Sequence, residues 1–259
     1  MRLRGHRVVV TRARHQAGEL AEALEAEGAE VLEIPAITIA APEDPTALAR
    51  AIDRWSTFDL VALTSKNTVK AVLEAAAQRG VPLGGTPIAA VGAKTAAALR
   101  AHGLEPVIVP GVYRAEALVD AIGGALGPLE GRRVLVPRAD EGREILIDAL
   151  RHAGAEVEAV TAYRLVQAPP APPESVARLA GATAATFLSG KTLEHFLAVV
   201  PEDVARDFLR RAVVAVIGPV AAEAAARLGI RVDVIPEAAT VESLVAALAT
   251  RLASDPQGG

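Results

Sequence analysis

Residues Gly5–Ile39 read GHRVVVTRARHQAGELAEALEAEGAEVLEIPAITI, and Gly131–Leu165 read GRRVLVPRADEGREILIDALRHAGAEVEAVTAYRL. The two stretches align without a gap and share 14 of 35 residues. Two shorter matches follow in the same order. Thr64–Val69 pairs with Leu188–Leu193, and AAVGAKTAAALRAHG (Ala89–Gly103) pairs with AVIGPVAAEAAARLG (Ala215–Gly229). Each series ends in a similar strand-like run, Pro106–Pro110 and Val232–Pro236. Matches that keep their order along a chain mark a tandem duplication, and here that decides the architecture.

Within each half, short β-branched runs alternate with amphipathic helices. In the first half the strand candidates are Arg7–Thr11, Val31–Ile39, Leu60–Thr64, Ile88–Val91 and Val107–Val109. Leu20, Ala23, Leu24 and Glu27 share one helix that Gly28 ends; Thr68–Ala77 and Thr95–His102 are further helices, the second stopped by Gly103. Apolar strands alternating with helices form a parallel sheet covered on both faces. Five strands per half predict an α/β fold of two flavodoxin-like lobes with parallel sheets. The linker-like stretches, near 39–45 and 166–173 (the latter holding Gln167–Pro173, QAPPAPP), fall at the same place in both repeats, just after the second strand. The chain is therefore expected to cross between lobes twice. Lobe 1 would hold 1–38 plus 170–259 and lobe 2 would hold 40–165, with 254–259 a disordered tail.

The 259 residues suit two domains, and 51% apolar content supplies a core for each. Aromatic residues are only 3%, so Ala, Val, Leu and Ile are expected to fill those cores. The absence of cysteine excludes disulfides, thiolate zinc sites, iron–sulfur clusters and a cysteine nucleophile. A net charge of −4 argues against a nucleic-acid partner or an anionic membrane surface, so any anion site needs local positive charge. No apolar run approaches the roughly 18 residues of a membrane span. Met1 to Gly5 lead straight into a strand without a signal-like segment, and a cytoplasmic location is expected.

In open parallel sheets, ligands bind beyond the carboxyl ends of the strands, where helix starts offer unpaired N–H groups. Here those loops carry Thr11-Arg12-Ala13-Arg14, Thr64-Ser65-Lys66-Asn67-Thr68, Gly92-Ala93-Lys94-Thr95, Arg138-Ala139-Asp140, Ser189-Gly190-Lys191-Thr192 and Gly218-Pro219-Val220. Small, hydroxylated and basic residues compose an anion cradle. Only four lysines exist, and Lys66, Lys94 and Lys191 fall in these loops although a cation in a helix's first turn opposes its dipole. Arg12 and Arg138 occupy one equivalent position. Ser65 and Ser189 stand where an N-cap is needed, so each is read equally as a cap or as an anion ligand. Thr95 is placed in the same class and is expected to be slightly more exposed. The five histidines show no metal spacing, no paired-carboxylate site stands out, and neither a dinucleotide nor a triphosphate loop motif occurs. Tyr163, one of two tyrosines, is read as ending the second strand of the second repeat, where the first repeat has Ile37. Its phenol is a candidate proton or hydrogen-bond donor, with hinge packing as the equal alternative.

The segments VVVTRA (Val8–Ala13), LTSKNTV (Leu63–Val69), AVGAKTAAAL (Ala90–Leu99), VLVPRA (Val134–Ala139), Ala162-Tyr163-Arg164 and VIGPVAA (Val216–Ala222) resemble the uroporphyrinogen-III synthase family, in order, over residues 5–250. The resemblance implies two flavodoxin-like lobes joined by a pair of linkers. It also implies a cofactor-free and metal-free lyase that closes hydroxymethylbilane, a linear tetrapyrrole with eight carboxylates, to uroporphyrinogen III. Loss of the terminal hydroxyl as water gives an azafulvene, and the last pyrrole ring inverts through a spiro intermediate. On this reading Tyr163 assists hydroxyl departure. Arg12, Arg14, Ser65, Lys66, Asn67, Lys94, Thr95, Arg138, Ser189, Gly190, Lys191, Gly218 and Pro219 bind substrate in a cleft between the lobes. A monomer is expected, with transient contact to the upstream deaminase. The chain departs from the family at Val220 and Ala221, where hydroxyl residues are common, and at Leu188, where threonine is frequent. The alternative is a noncatalytic bilobed binding or regulatory protein for a small polyanionic ligand, since fold does not fix function.

Overall fold

The computed structural model describes residues 1–12, 14–110, 115–142 and 144–254, apart from the side chains of 14–17 and 115–116. The tail expected from 254 onward lies outside them after Ser254. The first half runs β1 (Arg7–Val10), α1 (Arg14–Ala26), β2 (Glu30–Glu33), β3 (Ile37–Ala40), α2 (Thr46–Asp53), β4 (Leu60–Leu63), α3 (Lys66–Arg79), β5 (Ile88–Ala90), α4 (Ala93–Arg100) and α5 (Ala115–Leu126). The second half runs β6 (Arg133–Ala139), α6 (Ile145–His152), β7 (Glu156–Gln167), α7 (Pro173–Ala177), β8 (Ala184–Phe187), α8 (Gly190–Val199), α9 (Glu202–Arg211), β9 (Val213–Val216), α10 (Pro219–Arg227) and α11 (Val241–Ala253). Among the described residues no helix is long and apolar enough to cross a membrane.

Two compact units divide the chain: Met1–Thr38 with Val166–Gly259, and Ile39–Leu165. The first has a sheet in the order β2-β1-β8-β9, extended by a single bridge from Ala215 to Val234. The second has β3-β7-β6-β4-β5, extended by a bridge from Ala89 to Ile108. The pairs β1–β2, β1–β8, β8–β9, β4–β5, β4–β6 and β6–β7 are all parallel. Numbered by position in the repeat, the first sheet reads 2-1-3-4-5, the flavodoxin-like order, and the second reads the same after an additional edge strand, β3, which continues position 2 of the first repeat. Apart from β3, each sheet takes positions 1 and 2 from one repeat and positions 3 to 5 from the other.

Burial follows from strand periodicity, because successive side chains leave a strand on opposite faces. Val9, Ala185, Phe187, Val214 and Val216 pack into one core of the first unit, while Val8, Val10, Ala184, Val213 and Ala215 pack into another. The second unit repeats the division, with Val61, Leu63, Ala90 and Leu135 on one side and Leu60, Ala62, Ala89, Val134 and Val136 on the other. Both sheets are thus covered on both faces, as apolar parallel strands require. Among the described residues the aromatic side chains are all buried. Phe187, Phe196 and Phe208 stack edge-on and tilted at centroid distances of 5.6 and 6.1 Å, and Trp55 and Phe58 fill the second unit.

Three strand expectations need correction. Val31–Ile39 is two strands, because Pro35 has no N–H to donate and breaks the ladder between β2 and β3. The second repeat has Thr161 at that position, and β7 continues unbroken for 12 residues. Tyr163 accordingly lies inside β7 and does not end it. The last strand of each half shrinks to the single bridges at Ile108 and Val234.

Candidate functional site

In each sheet the order of connection reverses between its first and third positions, and the crevice for a ligand lies at the carboxyl ends of those strands. In the first unit these are β1 and β8, and in the second β6 and β4. Buried threonines brace the first junction: the Thr186 hydroxyl donates to the Val9 carbonyl at 3.1 Å, and the Thr11 hydroxyl donates to the Thr186 carbonyl at 3.4 Å. Arg12 follows directly and is half-buried. Arg14 begins α1, and its side chain lies outside the described residues.

The helix starts fall into two kinds. Ser65 caps α3 with extended backbone and accepts from the Thr68 N–H at 3.2 Å, while Thr68 Oγ1 accepts from the Ser65 N–H at 2.9 Å. Ser189 and Thr192 build the same reciprocal box at α8, at 3.2 Å in both directions. The spacing S-x-x-T in both repeats was the available signal for Thr68 and Thr192, which sequence reasoning did not single out. By contrast α4 starts at Gly92 and α10 at the equivalent Gly218, and neither has a side-chain cap. Their N–H groups are left to backbone or ligand partners, which makes these two starts the better anion cradles. Gly92, which sequence reasoning placed in an anion-cradle loop but not among the binding residues, is thus a further candidate. Pro219 at the first position of α10 is preformed for a helix but supplies no N–H.

Thr95 is the third residue of α4 and only 5% exposed, so it is neither a cap nor an exposed hydroxyl. Its equivalent Ala221 is likewise buried, whereas Val220 is exposed. Lys66 and Asn67 open α3, Lys94 is in the first turn of α4 and Lys191 in that of α8; Lys66 and Lys94 are exposed, Asn67 and Lys191 half-buried. None of the three lysines is without a partner. Gly190 has a packing reason of its own: a Cβ there would stand 2.3 Å from the Ala224 Cβ, so α8 and α10 cross at this glycine.

Arg138 is held by its own loop. Its guanidinium pairs with Glu144 and donates to the carbonyls of Ala139 at 3.2 Å and Asp140 at 3.4 Å. At this point the pairing of β6 and β7 shifts register, so that Ala139 faces Tyr163, and the Asp140 N–H donates to the Tyr163 carbonyl at 3.1 Å. Tyr163 is 9% exposed, and its hydroxyl lies 3.5 Å from Ser65 Oγ. The structure thereby brings together Tyr163, Ser65, Thr68 and the Arg138 loop at the carboxyl edge of the second sheet. Gly190, Lys191, Ser189, Gly218, Pro219 and Arg12 belong to the edge of the first.

Among the described residues no group of three His, Asp or Glu side chains could hold a metal ion. The clearest pKa displacements belong to surface pairs. Hydrogen bonds from Arg2 hold Glu27 down to about 2, and Arg79 and Arg100 lower Asp53 and Glu105.

A family model described as uroporphyrinogen-III synthase HemD matches residues 18–246. The chain is 32% identical over 252 residues to the uroporphyrinogen-III synthase of Synechococcus elongatus, covering 94% of each. Its fold is similar to that of a uroporphyrinogen-III synthetase from Helicobacter pylori, with a TM-score of 0.58 at 18% identity over 96% of this chain and 100% of that one. A substituted uroporphyrinogen III synthase from Thermus thermophilus gives a TM-score of 0.54 at 22% identity, over 96% and 100% of the two chains.

Proposed function

The chain belongs to the uroporphyrinogen-III synthase family, and we propose that the carboxyl edges of its sheets carry the chemistry, with Tyr163 as the general acid. The reaction is the cyclisation of hydroxymethylbilane to uroporphyrinogen III, with loss of water and inversion of the last pyrrole ring. The enzyme is a cyclising lyase.

The substrate carries eight carboxylates and the chain is net negative, so attraction has to come from local donors. In the second unit the start of α4 at Gly92 supplies N–H groups that no side chain caps, and Lys66 and Lys94 stand in first helical turns at the same ends of the strands. The first unit carries a matching set in Gly218, Lys191 and Arg12. Substrate binding holds the bilane folded so that the substituted carbon of its last ring is the one attacked. Spontaneous closure gives the uninverted isomer, so the protein's main contribution is positioning.

The observation that carries the site reading is the Tyr163 phenol beside the start of α3. A phenol O–H carries one proton and donates one hydrogen bond. In the first step its proton passes to the leaving hydroxyl. The C–O bond breaks with its electron pair going to oxygen, and the pyrrole nitrogen's lone pair completes an azafulvene that keeps its N–H proton and its positive charge, balanced by the phenolate. Water leaves and a phenolate remains, to be reprotonated when the inverted ring loses its proton.

The test is the lifetime of hydroxymethylbilane generated in situ. The chain is expected to shorten it at catalytic concentration. A lifetime equal to that in buffer would contradict the proposed function.

A further inference from the structure

Four polar groups meet where β4 gives way to α3: the hydroxyls of Ser65, Thr68 and Tyr163 and the Ser65 carbonyl. Their hydrogen atoms follow by elimination. The Ser65 carbonyl only accepts, so the Thr68 hydroxyl, 2.7 Å away, donates to it. Thr68 Oγ1 already accepts from the Ser65 N–H at 2.9 Å, which leaves it one lone pair. With the Thr68 proton committed, the 2.9 Å contact between the two hydroxyls requires Ser65 to donate. Ser65 Oγ accepts from the Thr68 N–H at 3.2 Å and keeps one lone pair of its own. The Tyr163 hydroxyl lies 3.5 Å from it and is therefore the donor. The result is one directed chain, from Tyr163 through Ser65 and Thr68 to the Ser65 carbonyl.

We infer that Ser65 is a positioning residue for the Tyr163 phenol, accepting its hydrogen bond before the reaction and donating one to the phenolate afterwards. This inference rests on Tyr163 as the acid. When substrate binds, the phenol O–H turns from Ser65 Oγ to the leaving hydroxyl, and as its proton passes over, the Ser65 O–H swings from Thr68 Oγ1 to the phenolate oxygen. No additional proton is moved, and the cap from Ser65 Oγ to the Thr68 N–H stays intact. The phenol contact of 3.5 Å is long, as hydrogen bonds at reacting groups commonly are before substrate binds. Capping does not explain the phenol's place. Ser189 and Thr192 build the same box at α8, and the residue equivalent to Tyr163 in the other repeat is Ile37.

Steady-state kinetics of Ser65→Ala, Tyr163→Phe and the double variant test this. Ser65→Ala is expected to lower kcat about tenfold with KM within about twofold, and to cause no further loss in the Tyr163→Phe background, because residues acting as one unit are not additive. Ser65→Thr restores the hydroxyl and should recover most of kcat. Ser65→Gly starts a helix nearly as well as serine, and it should lose kcat as Ser65→Ala does, separating the hydroxyl from the cap. Fully additive losses would overturn the inference, because Ser65 would then act independently of the phenol. So would a wild-type kcat in Ser65→Ala, or an effect confined to KM. A wild-type kcat in Tyr163→Phe alone would strike the underlying reading, and that arm identifies it separately.

Discussion

Tyr163 packs in a core with Leu135, Val160 and Ala162, with little of its surface in solvent, yet its hydroxyl is directed to another polar group. A buried phenol is tolerated when its O–H finds a partner, so packing and chemistry share one side chain. Tyr163→Phe keeps the ring, and stability is expected to change by about 1 kcal/mol or less. Turnover should fall by about tenfold to a hundredfold, at or below the low end of general-acid assistance, because hydroxymethylbilane loses water unaided. Thermal unfolding and kcat measured on one preparation check both; an unchanged kcat would reduce Tyr163 to packing. The duplication itself drew attention to this residue, because an aliphatic equivalent stands in the other repeat. Its partner was not legible. Ser65 is 98 positions away in sequence, and only the sheet order β7-β6-β4 brings the two together. Nor does sequence decide whether a serine after a strand is cap or ligand, since both roles need the same hydroxyl in the same place. The reciprocal bonds to Thr68 and Thr192 show the capping role directly.

Helices and strands show where the repeat pattern misleads. The fold class was readable because the β and α periods alternate twice in the same order. Strand lengths were not. Pro35 cuts one strand in two, and the last strand of each half keeps a single bridge because little of it reaches the ladder. Gly190 was singled out as part of an anion loop, but its smallness also serves a helix crossing that no local pattern reveals. Gly190→Ala puts a methyl group against Ala224 at a distance that backbone must move to relieve. The expected cost is about 1–3 kcal/mol, the usual range for overpacking, seen as a lower Tm. A variant as stable as the parent would show that α8 and α10 separate freely. Gly92 and Gly218 tell the opposite story. Their backbones are extended, and α4 and α10 begin without a side-chain cap, so what the sequence marks as a glycine is an open set of donors.

At the scale of the whole molecule, each unit is assembled from pieces of both repeats, and the second is contiguous from Ile39 to Leu165. That segment holds β4, β5, β6 and nearly all of β7, together with two cores. Expressed alone, residues 39–165 are expected to fold cooperatively, with the buried Trp55 reporting the transition. A non-cooperative melt would mean that the unit depends on the rest of the chain. Removing it from the parent should also be tolerated, because the Ala168 N–H donates to the Ala36 carbonyl at 2.9 Å and a short turn can join the flanks. Duplicated order along the chain told of two similar halves, and the linker-like stretches near 39–45 and 166–173 gave the expectation that the halves interleave; which strand pairs with which inside each sheet is a long-range fact that the pairings report. The central claim is that this chain imposes the inverted closure on a linear tetrapyrrole. Hydroxymethylbilane is supplied in situ, the products are oxidised, and the porphyrin isomers are separated by chromatography. The account predicts isomer III as the main product, formed in proportion to the amount of chain. Isomer I alone, at the uncatalysed rate, would contradict it.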